Sequence, residues 1–219
     1  MEKFATKQGT EQYCKRFSNL PESHFNQFQD LKLSSIGFGS YLGNPDNSTD
    51  VQYHDSVKLA VSLGCNVIDS AINYRFQRSE RSIGKALLEL ENEGFKREEL
   101  FISTKGGFLS FDKKSDVHPR QWFKKNFVDK QIANEEDLLA SCHCIAPAYL
   151  REEIKQSLQN LNIKGVDLYY IHNPEIQLEE IDRKEFERRM KGAFAALEQA
   201  VSDGLIRFYG TATWNGYRI

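Results

Sequence analysis

The sequence predicts an α/β fold: a parallel sheet of about five strands, with the connecting helices packed outside it in the manner of a parallel barrel. Two observations carry this reading. From Leu33 onward, apolar runs of strand length alternate with amphipathic stretches of helical length, and five strands can be counted. Gly64 and Gly204 stand where helices should stop, and Pro147 stands where one should start. At 219 residues, with 40% apolar and 27% charged side chains, the chain has the composition of an ordinary domain with one core.

The first strand is expected at residues 35–39 and the second at 66–70. Between them runs a helix with the apolar stripe Val57, Ala60, Val61 and Leu63. The third strand, 100–104, follows a helix capped by Ser79, with Ile83, Ala86, Leu87 and Leu90 at helical spacing. The fourth, 166–171, follows a helix that opens at Pro147 and carries Leu150, Ile154, Leu158 and Leu161 on one face. The fifth, 206–211, follows a helix bearing Met190, Phe194, Leu197 and Val201, whose charged start and solvated face lie in residues 179–189. Residues 1–30 read as an N-terminal extension and 31–219 as the barrel-like unit. That unit is interrupted at 109–146 by a polar, aromatic-dotted insertion, far longer than the usual connection and read as an active-site cover or a surface insertion. Within it, Trp122 and Phe123 are expected to pack.

Twenty-nine basic and 31 acidic residues leave no steering field for nucleic acid or an anionic membrane, so a small-molecule partner is expected. No run of eighteen apolar residues and no N-terminal apolar segment occurs, which points to a cytoplasmic address. The four cysteines, Cys14, Cys65, Cys142 and Cys144, show no disulfide framework and read as free thiols. Cys142-His143-Cys144 lacks the spacing and the second ligand pair of a structural zinc site, so no metal is expected. Gly37-Phe-Gly39-Ser-Tyr-Leu-Gly43 is no dinucleotide fingerprint, because its third glycine is late and Asn44-Pro45 follows in place of a helix; a strand-end turn fits better. A Gly-x-Ser-x-Gly elbow is absent, and no tyrosine is followed four residues later by lysine.

In a parallel barrel, chemistry sits at the C-terminal strand ends. Asp69 ends the second strand and Tyr74 lies five residues beyond it; Lys105 ends the third strand and His172 the fourth. Neighbouring strands are about 4.8 Å apart, so these ends can converge on one pocket. Each residue alone also has a plain structural reading as an ion pair, a packed ring or a turn donor. Together they are chemically coherent. A tyrosine becomes a usable proton donor and acceptor when a lysine cation favours its phenolate, and Lys105 would do this for Tyr74. Asp69 would orient Lys105, and His172 would donate a hydrogen bond to a carbonyl oxygen.

These residues fall in the series Asp69-Ser-Ala-Ile-Asn-Tyr74, Ser79-Glu80, Gly84-Lys-Ala-Leu, Ile102-Ser-Thr-Lys105, Asp167-Leu-Tyr-Tyr-Ile-His172-Asn-Pro174 and Gly204-Leu-Ile-Arg-Phe-Tyr-Gly210. In order and spacing the series resembles the successive motifs of aldo-keto reductases. The insertion, with Cys142-His-Cys-Ile-Ala-Pro147, is similar to that of a bacterial branch of the family. The resemblance implies a parallel (β/α)8 barrel of the TIM type, present here as about five βα units. It also implies NADPH-dependent reduction of an aldehyde or ketone to an alcohol. Tyr74 would be the general acid, Lys105 and Asp69 its tuning pair, and His172 the residue that orients the carbonyl. Family members often place a Ser-Asn pair after the fifth strand to hold the nicotinamide. This chain has Gly210-Thr-Ala-Thr-Trp-Asn215 there, so Thr213 and Asn215 join Asp69 as the cofactor candidates.

The same resemblance leaves three barrel strands unrepresented, with most of the family's cofactor grip. Five strands alone would leave inner-facing Val, Ile and Phe in water and the fifth strand an open edge. Self-association, or a complementing segment, would cover them; otherwise mobility is expected near residues 206–219, together with weak NADPH binding. The alternative function is a non-catalytic, truncated binding or regulatory protein that retains the catalytic residues.

Overall fold

The computed structural model describes residues 2–216; the end of the stretch expected to be mobile, 217–219, lies outside them. Helix α1 (Lys7–Lys15) comes first, its N-terminus closed by Thr6, whose side chain accepts from the Gly9 amide. Strands β1 (Phe25–Phe28) and β2 (Leu31–Ser34) follow as an antiparallel hairpin. The remaining elements alternate: β3 (Phe38–Gly39), α2 (Asn47–Ser62), β4 (Val67–Asp69), α3 (Arg78–Asn92), β5 (Phe101–Gly106) and α4 (Pro119–Phe123). They end with α5 (Pro147–Leu161), β6 (Val166–His172), α6 (Arg183–Ser202) and β7 (Ile206–Ala212). Strands β3 to β7 form one five-stranded sheet in sequential order, every pair parallel. The five expected strands are these five, with no end shifted by more than three residues.

The sheet has two chemically distinct faces because alternate residues point to opposite sides. Ile68, Ile102, Tyr169 and Ile171 turn outward and form the main core with Ile83, Leu90, Leu150, Ile154 and Leu197 of the helices. The opposite face divides along the strands. Its lower half, Val67, Phe101, Leu168 and Phe208, is capped by the hairpin through Leu31 and Leu33. Phe28 closes edge-on against Phe101 at 6.0 Å and Phe208 at 5.6 Å. By the same alternation the upper half presents Gly39, Asp69, Ser103, Lys105, Tyr170, His172, Gly210 and Ala212. The expected inner stripe of water-exposed Val, Ile and Phe is therefore corrected: the isoleucines face the helices, the hairpin covers the apolar inner residues, and the uncovered part is largely polar or small.

The N-terminal segment is an integral layer of this arrangement. Tyr13 is fully buried and donates its hydroxyl to the Val61 carbonyl at 2.5 Å, and the Ala5 amide donates to Asp167 at 2.6 Å. Three helix details differ from expectation. Leu63 lies outside the stripe of α2, largely exposed past the last turn, whereas Val57 and Val61 are buried. Ser79 is no cap: α3 starts from Gln77 in a left-handed conformation, and the Ser79 hydroxyl donates to the Ser40 carbonyl at 2.8 Å. In α6 the buried positions are Ala193, Leu197 and Ala200, with Met190 and Phe194 at the margin and Val201 exposed.

The long insertion builds a small core of its own. Leu109, Phe123, Ala133, Leu138 and Cys144 gather around Tyr149 of α5. Phe111 and Trp122 stack at 4.4 Å, so Trp122 packs as expected. No helix among the described residues is long and apolar enough to cross a membrane.

Candidate active site

Asp69, Ser103 and Lys105 come together through strand register. Asp69 pairs with Ser103 across β4 and β5, and Lys105 follows two residues later on the same face. Lys105 Nζ donates to Asp69 Oδ2 at 2.5 Å and to the Ser70 carbonyl at 2.6 Å. The second Asp69 oxygen accepts from Ser103 Oγ at 2.7 Å, so the carboxylate is held at both ends. The lysine side chain is nearly buried, whereas the aspartate keeps 38% of its side chain exposed and faces open space.

Tyr74 reaches the same spot from the loop after β4, and backbone strain places it there. Arg75, Phe76 and Gln77 all have positive φ, at 52°, 57° and 66°, a conformation costing about 1–2 kcal/mol per non-glycine residue. Arg75 anchors the turn: its guanidinium donates to the Asn44 carbonyl at 2.8 Å and to Asp50 at 2.6 Å, and lies over the Tyr53 ring. Gln77 Nε2 donates to the Ser110 carbonyl at 2.7 Å. The Tyr74 ring then lies 5.1 Å from Lys105 Nζ, 5.0 Å from the Tyr41 ring and 5.7 Å from the His172 ring.

The structure thus brings Asp69, Tyr74, Lys105 and His172 into one cluster. Thr213 and Asn215 stand just past β7, where Thr213 lines a cleft of about 370 Å³ with Pro174, Glu175, Met190 and Thr211. The Asn215 side chain is exposed, and its backbone amide donates to Glu175.

The electrostatics correct one expectation. Burial first, then the charge of Asp69 and the neighbouring Tyr41 hydroxyl, push the Tyr74 phenol up to about 12. The lysine was expected to act in the opposite sense. Its ammonium is paired directly with Asp69 and lies over the ring, so the phenol stays neutral and protonated at neutral pH. His172 is also neutral. Burial, then Lys105, then His143 push it down to about 3, and its Nδ1 is buried without a hydrogen-bond partner among the described residues.

Three contributors were not foreseen. Ser103 was legible in principle, since it shares the face of Lys105 two residues away. Tyr41 and His143 carry no local signal, because loops far apart in sequence bring them to the site. The arrangement gathers a neutral phenol, a neutral imidazole and a carboxylate-bound ammonium in one cluster, which suits proton donation to an oxygen that gains negative charge.

The chain is also similar to known proteins. The chain is 28% identical over 188 residues to the NADH-specific methylglyoxal reductase of Escherichia coli, a match spanning 84% of this chain and 49% of that protein. It is 26% identical over 192 residues to a putative voltage-gated potassium channel subunit beta of Schizosaccharomyces pombe, covering 86% and 44%. Among solved structures, an aldo-keto reductase from Bacillus halodurans in its holo form superposes with a TM-score of 0.58 at 23% identity, covering 88% of this chain and 51% of that one. An aldo-keto reductase from Klebsiella pneumoniae in complex with NADPH gives 0.55 at 18%, covering 86% and 48%. The chain therefore has the α/β fold of these barrels and spans about half the length of the relatives it matches. The model of the aldo/keto reductase family matches residues 35–219, and the chain belongs to that family.

Proposed function

We propose that this protein is a nicotinamide-dependent carbonyl reductase, in which Tyr74 protonates the carbonyl oxygen of a small aldehyde or ketone. The observation that carries the reading is the convergence of the Tyr74 and His172 rings with the Lys105–Asp69 pair. The residues present fit the cofactor. A side chain built on Gly39 would meet nothing within 4 Å, so the face beside Asp69 has room for a flat ring. Asp69, Thr213 and Asn215 would hold the nicotinamide end. When bound, the cofactor supplies the hydride.

The chain's own residues do the rest. The protonated Tyr74 phenol stands ready as the acid, and Lys105 places positive charge against its ring where negative charge develops. The neutral imidazole of His172 offers one N–H to the substrate oxygen. NADPH is the favoured donor, in keeping with the Klebsiella neighbour, while the Escherichia coli relative is named for NADH. Cofactor oxidation with a panel of short aldehydes and ketones, measured with NADPH and with NADH in the native full-length protein, tests the proposal. Turnover with NADPH is expected.

The likeness to the potassium channel subunit supports a second reading, a binding or regulatory role with the site retained. It predicts cofactor binding without turnover in the same assay.

A further inference from the structure

The insertion returns to the sheet at Cys142, His143 and Cys144. There it zips onto the residues that follow Lys105: the Leu109 amide donates to the Cys142 carbonyl at 2.8 Å, and the Cys144 amide to the Gly107 carbonyl at 2.8 Å. This places the fully buried His143 between the exits of β5 and β6. Its Nε2 lies 2.7 Å from the carbonyl oxygen of His172. A carbonyl only accepts, so Nε2 carries the proton and Nδ1 is the acceptor, and Gln177 Nε2 donates to Nδ1 at 3.2 Å. Gln177, from the turn after β6, is itself fully buried. The tautomer of His143 is thereby fixed from both sides.

His172 has no comparable restraint on its own ring. Its Nδ1 is buried and without a partner among the described residues, and the ring is held edge-on by Phe108 at 5.0 Å and by Tyr74 at 5.7 Å. Phe108 is packed in the same way against His143, also at 5.0 Å. His143 therefore bears on His172 twice, through its carbonyl and through the shared Phe108 ring. Gly107 leaves room for this: its φ is +127°, and a side chain there would come within 2.9 Å of His143 Nε2.

We propose that His143 is a positioning residue of the site: by clamping the carbonyl of His172 and backing Phe108, it holds the His172 imidazole in one orientation toward Tyr74. The insertion then completes the reductase site from outside the barrel strands. This rests on the functional reading for its catalytic consequence, although the clamp itself is a property of the folded chain.

The test uses ¹⁵N-histidine NMR on the 219-residue chain, with the His172 signals assigned by their loss in His172→Gln. The wild type is expected to give one set of His172 ring signals. His143→Leu, which fills the space without a donor, should shift, broaden or double them. His143→Gln, which returns an amide N–H to the place of Nε2, should restore a single set. A merely structural histidine would not give rescue by a donor alone. His172 signals unchanged in His143→Leu overturn the proposal. Should the leucine variant not fold, Gln177→Leu carries the test: release of the His143 tautomer should perturb His172, and unchanged signals again overturn it. In the native full-length enzyme, His143→Leu should lower kcat about 10- to 100-fold with the KM for cofactor within about twofold, and His143→Gln should recover most of it. Absence of turnover in the wild type would refute the reductase reading and leave the NMR result to decide the clamp.

Discussion

Lys105 Nζ donates to Asp69 Oδ2 at 2.5 Å while lying 5.1 Å from the centre of the Tyr74 ring, so the ammonium answers first to the carboxylate and only second to the phenol. Asp69 also raises the Tyr74 pKa, after burial. Asp69→Asn removes that charge and frees the ammonium toward the ring. The phenol pKa, pushed up to about 12, should fall toward its ordinary 10.0. Spectrophotometric titration of Asp69→Asn against the Asp69→Asn, Tyr74→Phe double variant isolates the Tyr74 transition and checks the direction.

Lys105→Met keeps the length of the side chain and removes the charge. It leaves Asp69 with Ser103 as its remaining side-chain partner and the phenol without a nearby cation. In the full-length protein, kcat/KM should fall about 100-fold or more. A loss under threefold would separate Lys105 from the proton-transfer step.

Buried groups set a stability profile with two sides. Burial raises the Glu153 carboxyl from 4.5 to about 8, so the folded state holds an extra proton between those values; this contribution is whole below about 4.5 and is lost as pH rises through 8. Burial lowers His143 from 6.5 to about 4 and His172 to about 3. Their contributions are whole above about 6.5 and are lost as pH falls through 4 and then 3. Urea midpoints should therefore decline on both sides of a maximum between roughly pH 5 and 7. Glu153→Gln can keep the bond from the Gly107 amide and should flatten the alkaline side.

Gly106 follows Lys105 at the end of β5, and a methyl group there would overlap the Tyr169 hydroxyl and the Glu153 carboxyl group, both inside the fold. Gly106→Ala should destabilise the chain by about 1–3 kcal/mol, read by chemical denaturation. An unchanged midpoint would show that the Tyr169–Glu153 region yields easily.

The parallel sheet was legible because its strands carry short apolar runs between well-marked helices, as at residues 166–172 and 206–212. The hairpin was not. Phe25-Asn-Gln-Phe28 is a weak strand signal, and its Gln29-Asp30 turn lacks the Asn-Gly or Asp-Gly pair that marks tight hairpins. Asp69, Lys105 and His172 were readable because strand ends fix them in place, and Tyr74 because it follows β4 in the same motif as Asp69. The left-handed run at Arg75, Phe76 and Gln77 was hidden, since these residue types rarely adopt it and only distant anchors such as Asp50 and Ser110 hold it there. His143 was visible only as part of a Cys-His-Cys triplet. Its role depends on a 29-residue separation from His172 that no local pattern reports.

In the proposed reduction, Tyr74 is the proton donor. Turnover of a simple aldehyde by Tyr74→Phe, measured in the full-length protein beside cofactor affinity, decides whether it is. The kcat should fall by about 10²- to 10⁴-fold with cofactor affinity nearly unchanged. Near-normal turnover by the phenylalanine variant would contradict it.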